Sequence, residues 1–148
     1  MNIAFFLTPK NQVAYLYDDC SIRKGLSILK KSGYSAVPVI TREGRYVCTV
    51  SEGDFLWYCI EDSDDDSRHM MLRDTERVMV RDIMKQDRNP PARITATLGE
   101  VLNMSMNQNF IPVIDDNDSF IGIVTRKDII KYFSKMTMTA AAAVAPKD

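Results

Sequence analysis

Pro38-Val39-Ile40 returns 74 positions later as Pro112-Val113-Ile114, and this echo decides the fold. Ser51-Glu52-Gly53-Asp54 is answered at the same offset by Thr125-Arg126-Lys127-Asp128, and Tyr58 by Tyr132. Aligned without a gap, 36–59 and 110–133 share six identities in 24 positions, and Tyr46/Phe120, Val47/Ile121 and Ser51/Thr125 are conservative exchanges. An internal repeat fixes architecture before any single residue is weighed. It predicts two similar halves packed about a pseudo-twofold axis, with clefts where they meet.

The flanking segments repeat the same order. Ser21 opens a helix in which Ile22, Gly25, Leu26 and Leu29 share one face, and Gly33 supplies its left-handed stop. Ala36–Ile40 and Arg45–Val50 read as strands around a turn, with a short lead-in strand at Val13–Tyr17 and a helix carrying Phe55, Leu56, Tyr58 and Cys59. In the second half, Thr97-Leu98-Gly99-Glu100 is a capping box, with Leu98, Val101 and Leu102 on the face that follows. Strands at Ile111–Ile114 and Phe120–Val124, an Asp115–Asp118 turn and a helix from Thr125 through Tyr132 complete it. The expected fold is α+β, two β-α-β-β-α repeats. Ser21 to Pro38 spans 17 steps but Thr97 to Pro112 only 15, so the two clefts are expected to differ.

The expected boundaries are 1–60 for the first repeat, 61–79 for a charged linker, 80–138 for the second repeat and 139–148 for a flexible tail. Glu61, Asp62, Asp64, Asp65 and Asp66 read as a solvated linker before a cation site, and the lone His69 as a surface residue.

At 148 residues, 45% hydrophobic and 26% charged, the chain has the composition of a soluble globular protein. A net charge of −1 argues against a nucleic-acid binder. Cys20, Cys48 and Cys59 are odd in number and lack paired-ligand spacing, which points to a reducing cytoplasm and no metal site. The apolar stretch Ile3–Leu7 is too short for a signal peptide or a membrane span.

Each Ser/Thr-x-x-Asp motif stands where a strand turns into a helix. As a structural element it is a helix cap, hydroxyl to the third backbone N–H and carboxylate back to the cap residue. As a ligand site, the carboxylate accepts two hydrogen bonds from a cis-diol such as ribose, beside a helix end that favours anions. Catalysis is not expected: the chain has no phosphate-cradling Gly-x-x-x-x-Gly-Lys loop, no dinucleotide fingerprint, and one histidine for three cysteines.

Gly33-Tyr34-Ser35-Ala36-Val37-Pro38 with Ser51-x-x-Asp54, and Phe110-Ile111-Pro112 with Thr125-x-x-Asp128, resemble a tandem pair of CBS domains, the Bateman module. Arg81-Asp82-Ile83-Met84 resembles the lead-in to such a repeat. The resemblance covers about 5–60 and 80–135 and implies a stand-alone regulatory module that binds AMP, ADP, ATP or cyclic di-AMP, forms homodimers through its helices and signals to an effector protein. The resemblance implies the adenine nucleotide as a regulatory ligand, with no cofactor required. The resemblance further implies that each cleft joins the Ser/Thr-x-x-Asp of one repeat to the lead-in and glycine segment of the other. One cleft would then use Thr125 and Asp128 on ribose and Arg126 near phosphate, walled by Thr8, Ala14, Tyr34, Ser35, Ala36 and Ile123. The other would use Ser51 and Asp54 with Lys85, Ala92 and Phe110. Asn107 replaces the expected glycine there, and Glu52 stands where the first cleft has Arg126, so the first cleft is the favoured site. Lys10 and Lys85 are further candidates to approach phosphate, Trp57 is expected in the core or a dimer contact, and Met104 and Met106 in core gaps. The alternative is a ligand-free dimerisation or scaffold module in which both motifs are only caps.

Overall fold

β-Branched and apolar residues at 36–40 and 46–51 zip into an antiparallel hairpin, and 110–114 with 120–125 make its copy. In the computed structural model, which describes residues 2–61, 74–85 and 88–144, the two hairpins share one register. Ala36 faces Ser51 as Phe110 faces Thr125, and both ladders slip at equivalent points, Val39/Ile40 and Val113/Ile114.

The order is β1 (Thr8–Pro9), β2 (Leu16–Tyr17), α1 (Ile22–Ser32), β3 (Ala36–Ile40), β4 (Tyr46–Ser51), α2 (Glu52–Glu61), β5 (Ala92–Arg93), α3 (Leu98–Met104), β6 (Phe110–Ile114), β7 (Phe120–Thr125) and α4 (Arg126–Val144). One sheet runs β2-β3-β4 and the other β1-β7-β6-β5. This is the expected α+β fold of two β-α-β-β-α repeats.

Helix ends follow their local chemistry. The Ser21 hydroxyl accepts the Lys24 N–H, and Gly33 ends α1 at φ 72°. Thr97 and Glu100 complete both halves of the capping box of α3. That helix has 7 residues against 11 in α1 and ends at Ser105, in the right-handed region, where the first repeat has its left-handed glycine. Three expectations need correction. Leu26 and Leu102 lie at the rim of their apolar faces, each 38% exposed. Met106, expected in a core gap, is exposed, although Met104 does pack on the core of the second repeat, and the exposed Trp57 leaves only the dimer-contact side of its expectation. The chain after Met138 continues as helix to Val144, because an alanine run is the strongest helix former available. The acidic run 62–66 and His69 lie outside the described residues.

Each core borrows from the other half. Ile3 and Phe6, at the start of the chain, are buried among Val101, Ile111, Val113, Val124 and Ile129 of the second repeat. Val80 and Ile83 are buried with Leu16, Ile22, Val37, Val50 and Phe55 of the first. A third cluster, Ile40, Phe120 and Ile123 with Val13, Tyr15, Tyr17, Tyr46 and Phe110, joins the two sheets. The exchange depends on Gly122. There β1 crosses β7 so closely that a Cβ would lie 2.2 Å from the Thr8 carbonyl oxygen.

Candidate functional site

The crossing of β1 over β7 places Thr8 opposite Ile123, and the turn that follows carries Gln12, Val13 and Ala14 back toward the end of α1. Between these pieces lies a cavity of about 360 Å³. Thr8, Gln12, Val13, Ala14 and residues 33–38 wall it from one side, and Asn109, Phe110, Ile123 and Thr125 from the other. No charged side chain is among them. Small residues, Ala14, Ser35 and Ala36, leave room for a flat ring, and Thr8, Ser35, Asn109 and Thr125 supply neutral hydrogen-bonding groups.

Of the residues expected in this cleft, Thr8, Ala14, Tyr34, Ser35, Ala36, Ile123 and Thr125 line the cavity. Arg126 and Asp128 do not, and stand just beyond it in the first turn of α4. Arg126 is drawn aside because its Nε donates to the Ser105 carbonyl at 2.7 Å, at the electronegative end of α3. Asp128 is half-buried. Its backbone N–H donates to the Thr125 hydroxyl at 3.1 Å, but among the described residues its carboxylate accepts no hydrogen bond and joins no ion pair. Half of the cap is made, and the half that would occupy the carboxylate is not.

The first repeat differs. Asp54 Oδ2 accepts the Ser51 N–H at 2.9 Å and the Ser51 hydroxyl at 3.2 Å, and the Asp54 N–H donates to that hydroxyl at 3.3 Å. Arg88 Nη1 reaches both carboxylate oxygens, at 2.5 and 2.6 Å, over a side chain only 5% exposed. The second cleft is therefore not assembled as expected. Lys85 is exposed, and Arg88 is the cation that reaches Asp54. Ala92 is buried in the core of the second repeat and edges a separate shallow groove with Arg93, Thr95 and Glu100. Phe110, expected in the second cleft, walls the first, since its pairing with Thr125 puts both side chains on one face. Lys10 holds its ammonium 5.3 Å from the Tyr15 ring centroid, beside Pro9 and Phe120.

A family model described as CBS domain matches residues 7–61 and 80–135. The chain belongs to the CBS domain family. The structure of CbpB in complex with c-di-AMP superimposes with a TM-score of 0.83 at 26% identity, covering 97% of this chain and 91% of that one. That of CBSX2 in complex with AMP gives 0.72 at 20% identity, covering 92% and 98%, a likeness of fold. An uncharacterized protein of Methanocaldococcus jannaschii, MJ1225, is 32% identical over 113 residues. That alignment takes in 70% of this chain and 38% of the relative, so the chain spans well under half of that protein's length.

Four residues of this CBS pair escaped the motif reading. Gln12 and Asn109 join the cavity wall through the lead-in crossing and the hairpin register, which no short pattern reports. Gly122 carried a usable signal, a glycine inside an apolar strand marking close backbone approach. Arg88 carried none. Burial holds the Tyr46 hydroxyl, at the junction of the sheets, above its ordinary range, and pushes the Cys48 thiol, in the core of the first repeat, up to about 11. Among the described residues no group of three or more histidine, cysteine or acidic side chains is placed to hold a metal ion, and no helix is long and apolar enough to cross a membrane.

Proposed function

We propose that this CBS pair is a non-catalytic regulatory module of the cytoplasm that binds an adenine nucleotide in the cavity between its repeats and passes the change of shape to a partner protein. The observation that carries this reading is the neutral, inter-repeat cavity with an unengaged carboxylate, Asp128, at its helical edge. The base enters between Ala14, Tyr34 and Ala36, the ribose diol donates to Asp128, and Thr125 and Ser35 take further polar contacts. Phosphate stays at the open side, and Arg126 leaves the Ser105 carbonyl to meet it. Nucleotide complexes of structurally similar proteins, CbpB with c-di-AMP above all, support the ligand class. A ligand moves the conformational balance only by its different affinity for the two states.

The magnitudes are coherent. About 23 heavy atoms of AMP at roughly 0.3 kcal/mol each give near −7 kcal/mol, a Kd of about 10 μM. Saturation at about 100 times Kd adds ~2.7 kcal/mol of stability. Thermal shift and calorimetry with AMP, ADP, ATP and cyclic di-AMP test this, with Asp128→Ala as the variant. Wild type is stabilised by at least one of the four, and Asp128→Ala keeps its fold but loses the response. An unchanged titration in Asp128→Ala refutes the ribose assignment, and no shift with any of them supports a scaffold.

A homodimer through α2 and α4 belongs to the same proposal. Leu56, Trp57 and Ile60 on α2 and Ile130, Phe133 and Met136 on α4 present exposed apolar surface, and Leu56 and Ile130 are equivalent in the repeat.

A further inference from the structure

The two Ser/Thr-x-x-Asp motifs are related by the 74-residue repeat, yet their carboxylates live differently. Asp128 is unengaged. Asp54 accepts from Ser51 twice and from Arg88 at both oxygens. One guanidinium nitrogen bridging the two oxygens occupies the same lone pairs that a pair of vicinal hydroxyls would use, and as a cation it does so more strongly.

Arg88 is held there by its neighbours. Asn89 turns the chain in the left-handed region, φ 57°. The Tyr46 hydroxyl donates to the Asn89 carbonyl at 2.6 Å and is itself within 2.9 Å of the buried Thr49 hydroxyl. The Gln108 amide donates to the Pro90 carbonyl at 3.4 Å, and among the described residues its buried Oε1 has no partner. Two hydrogen bonds thus seat residues 89 and 90 beside the Arg88–Asp54 ion pair. The equivalent stretch of the first repeat is open. Pairing of Leu16 with Val39 and of Ala92 with Val113 makes Leu16 and Ala92 equivalent, so Gln12 corresponds to Arg88. Gln12 is neutral and lines the open cavity.

We infer that Arg88 is an intramolecular occupant of the second cleft, a chain-borne guanidinium that takes the carboxylate of Asp54 and sets the module at one nucleotide per chain. This inference rests on the proposed role of the motif in holding a ribose diol, and the experiment separates the two.

Binding stoichiometry is measured by calorimetry with AMP, and again with cyclic di-AMP, on wild type, Arg88→Ala, Asp128→Ala and the double variant. One AMP per chain is expected for wild type, two for Arg88→Ala, none for Asp128→Ala and one for the double variant. One site in Arg88→Ala and none in the double variant overturns the inference while leaving the proposed function standing. Retention of the wild-type site in Asp128→Ala overturns the ribose role instead. No binding by any variant refutes both. Arg88→Met, which keeps the aliphatic stem, serves if alanine prevents folding. A second readout needs no unfolding control: phenylglyoxal should modify Arg88, paired to a buried carboxylate, more slowly than Arg23 and Arg93, whose ion pairs with Glu76 and Asp118 lie in solvent, and Asp54→Asn should abolish that protection. Equal rates for the three arginines in wild type overturn the ion pair and with it the inference.

Discussion

Gly122→Ala gives the sharpest test of how the two halves are joined. The added methyl group would stand 2.2 Å from the Thr8 carbonyl oxygen, 3.0 Å from Leu7 Cδ1 and 3.1 Å from Pro9 Cα. The first of these contacts is backbone, so no rotamer change relieves it; β1 must move off β7. Overpacking in a well-filled interior costs about 1–3 kcal/mol. Full release of the lead-in would also unseat Ile3 and Phe6, each worth about 1.5–3 kcal/mol buried. The chain takes the cheaper course, a displaced β1, at roughly 3 kcal/mol. For this size that lowers Tm by about 6–12 °C. Because Thr8 walls the cavity, AMP titration should weaken together with stability. Melting by circular dichroism and calorimetric titration of one preparation check both. A variant melting within about 2 °C of wild type and titrating normally refutes the argument that close approach of the lead-in builds the site.

Two further outcomes follow from the same contacts. Burial raises the Cys48 thiol from its ordinary 9.0 to about 11, so the unfolded chain loses this proton first and stability falls as pH rises between those values, by roughly 2–3 kcal/mol in all. Urea midpoints at about pH 8 and about pH 10.5 should therefore drop less in Cys48→Ala than in wild type; equal drops refute this. Trp57→Glu, at a position 57% exposed, should leave melting nearly unchanged but shift sedimentation from dimer toward monomer, and an unchanged sedimentation profile removes α2 from the interface.

Much of the architecture was written locally. The tripeptide echo, the Ser21 and Thr97 caps, the Gly33 stop and the β-branched runs each act through neighbours a few residues away, and the structure shows each in place. Hairpin strand ends moved by one residue, the lead-in strand expected at 13–17 shrank to Leu16–Tyr17, and Thr8–Pro9 was not foreseen, since ladder bonds, not propensity, set where pairing starts and stops. Placement of the site was less legible. Phe110 went to the other cleft because hairpin register chooses its face. Lys85 gave way to Arg88, whose partner lies 34 positions away in a segment without periodicity.

Two copies of one unit, the main helices and hairpins of each, and an aspartate after each Ser or Thr at a helix entrance are legible in the chain read as a string. These depend on spacing and on backbone preference, which a linear string carries. That each half lends its first residues to the core of the other, and that one aspartate is left open while its twin is gripped by an arginine, emerges with the folded chain. Both outcomes depend on which side chains meet through space, and a pseudo-symmetric sequence does not state where its symmetry is broken.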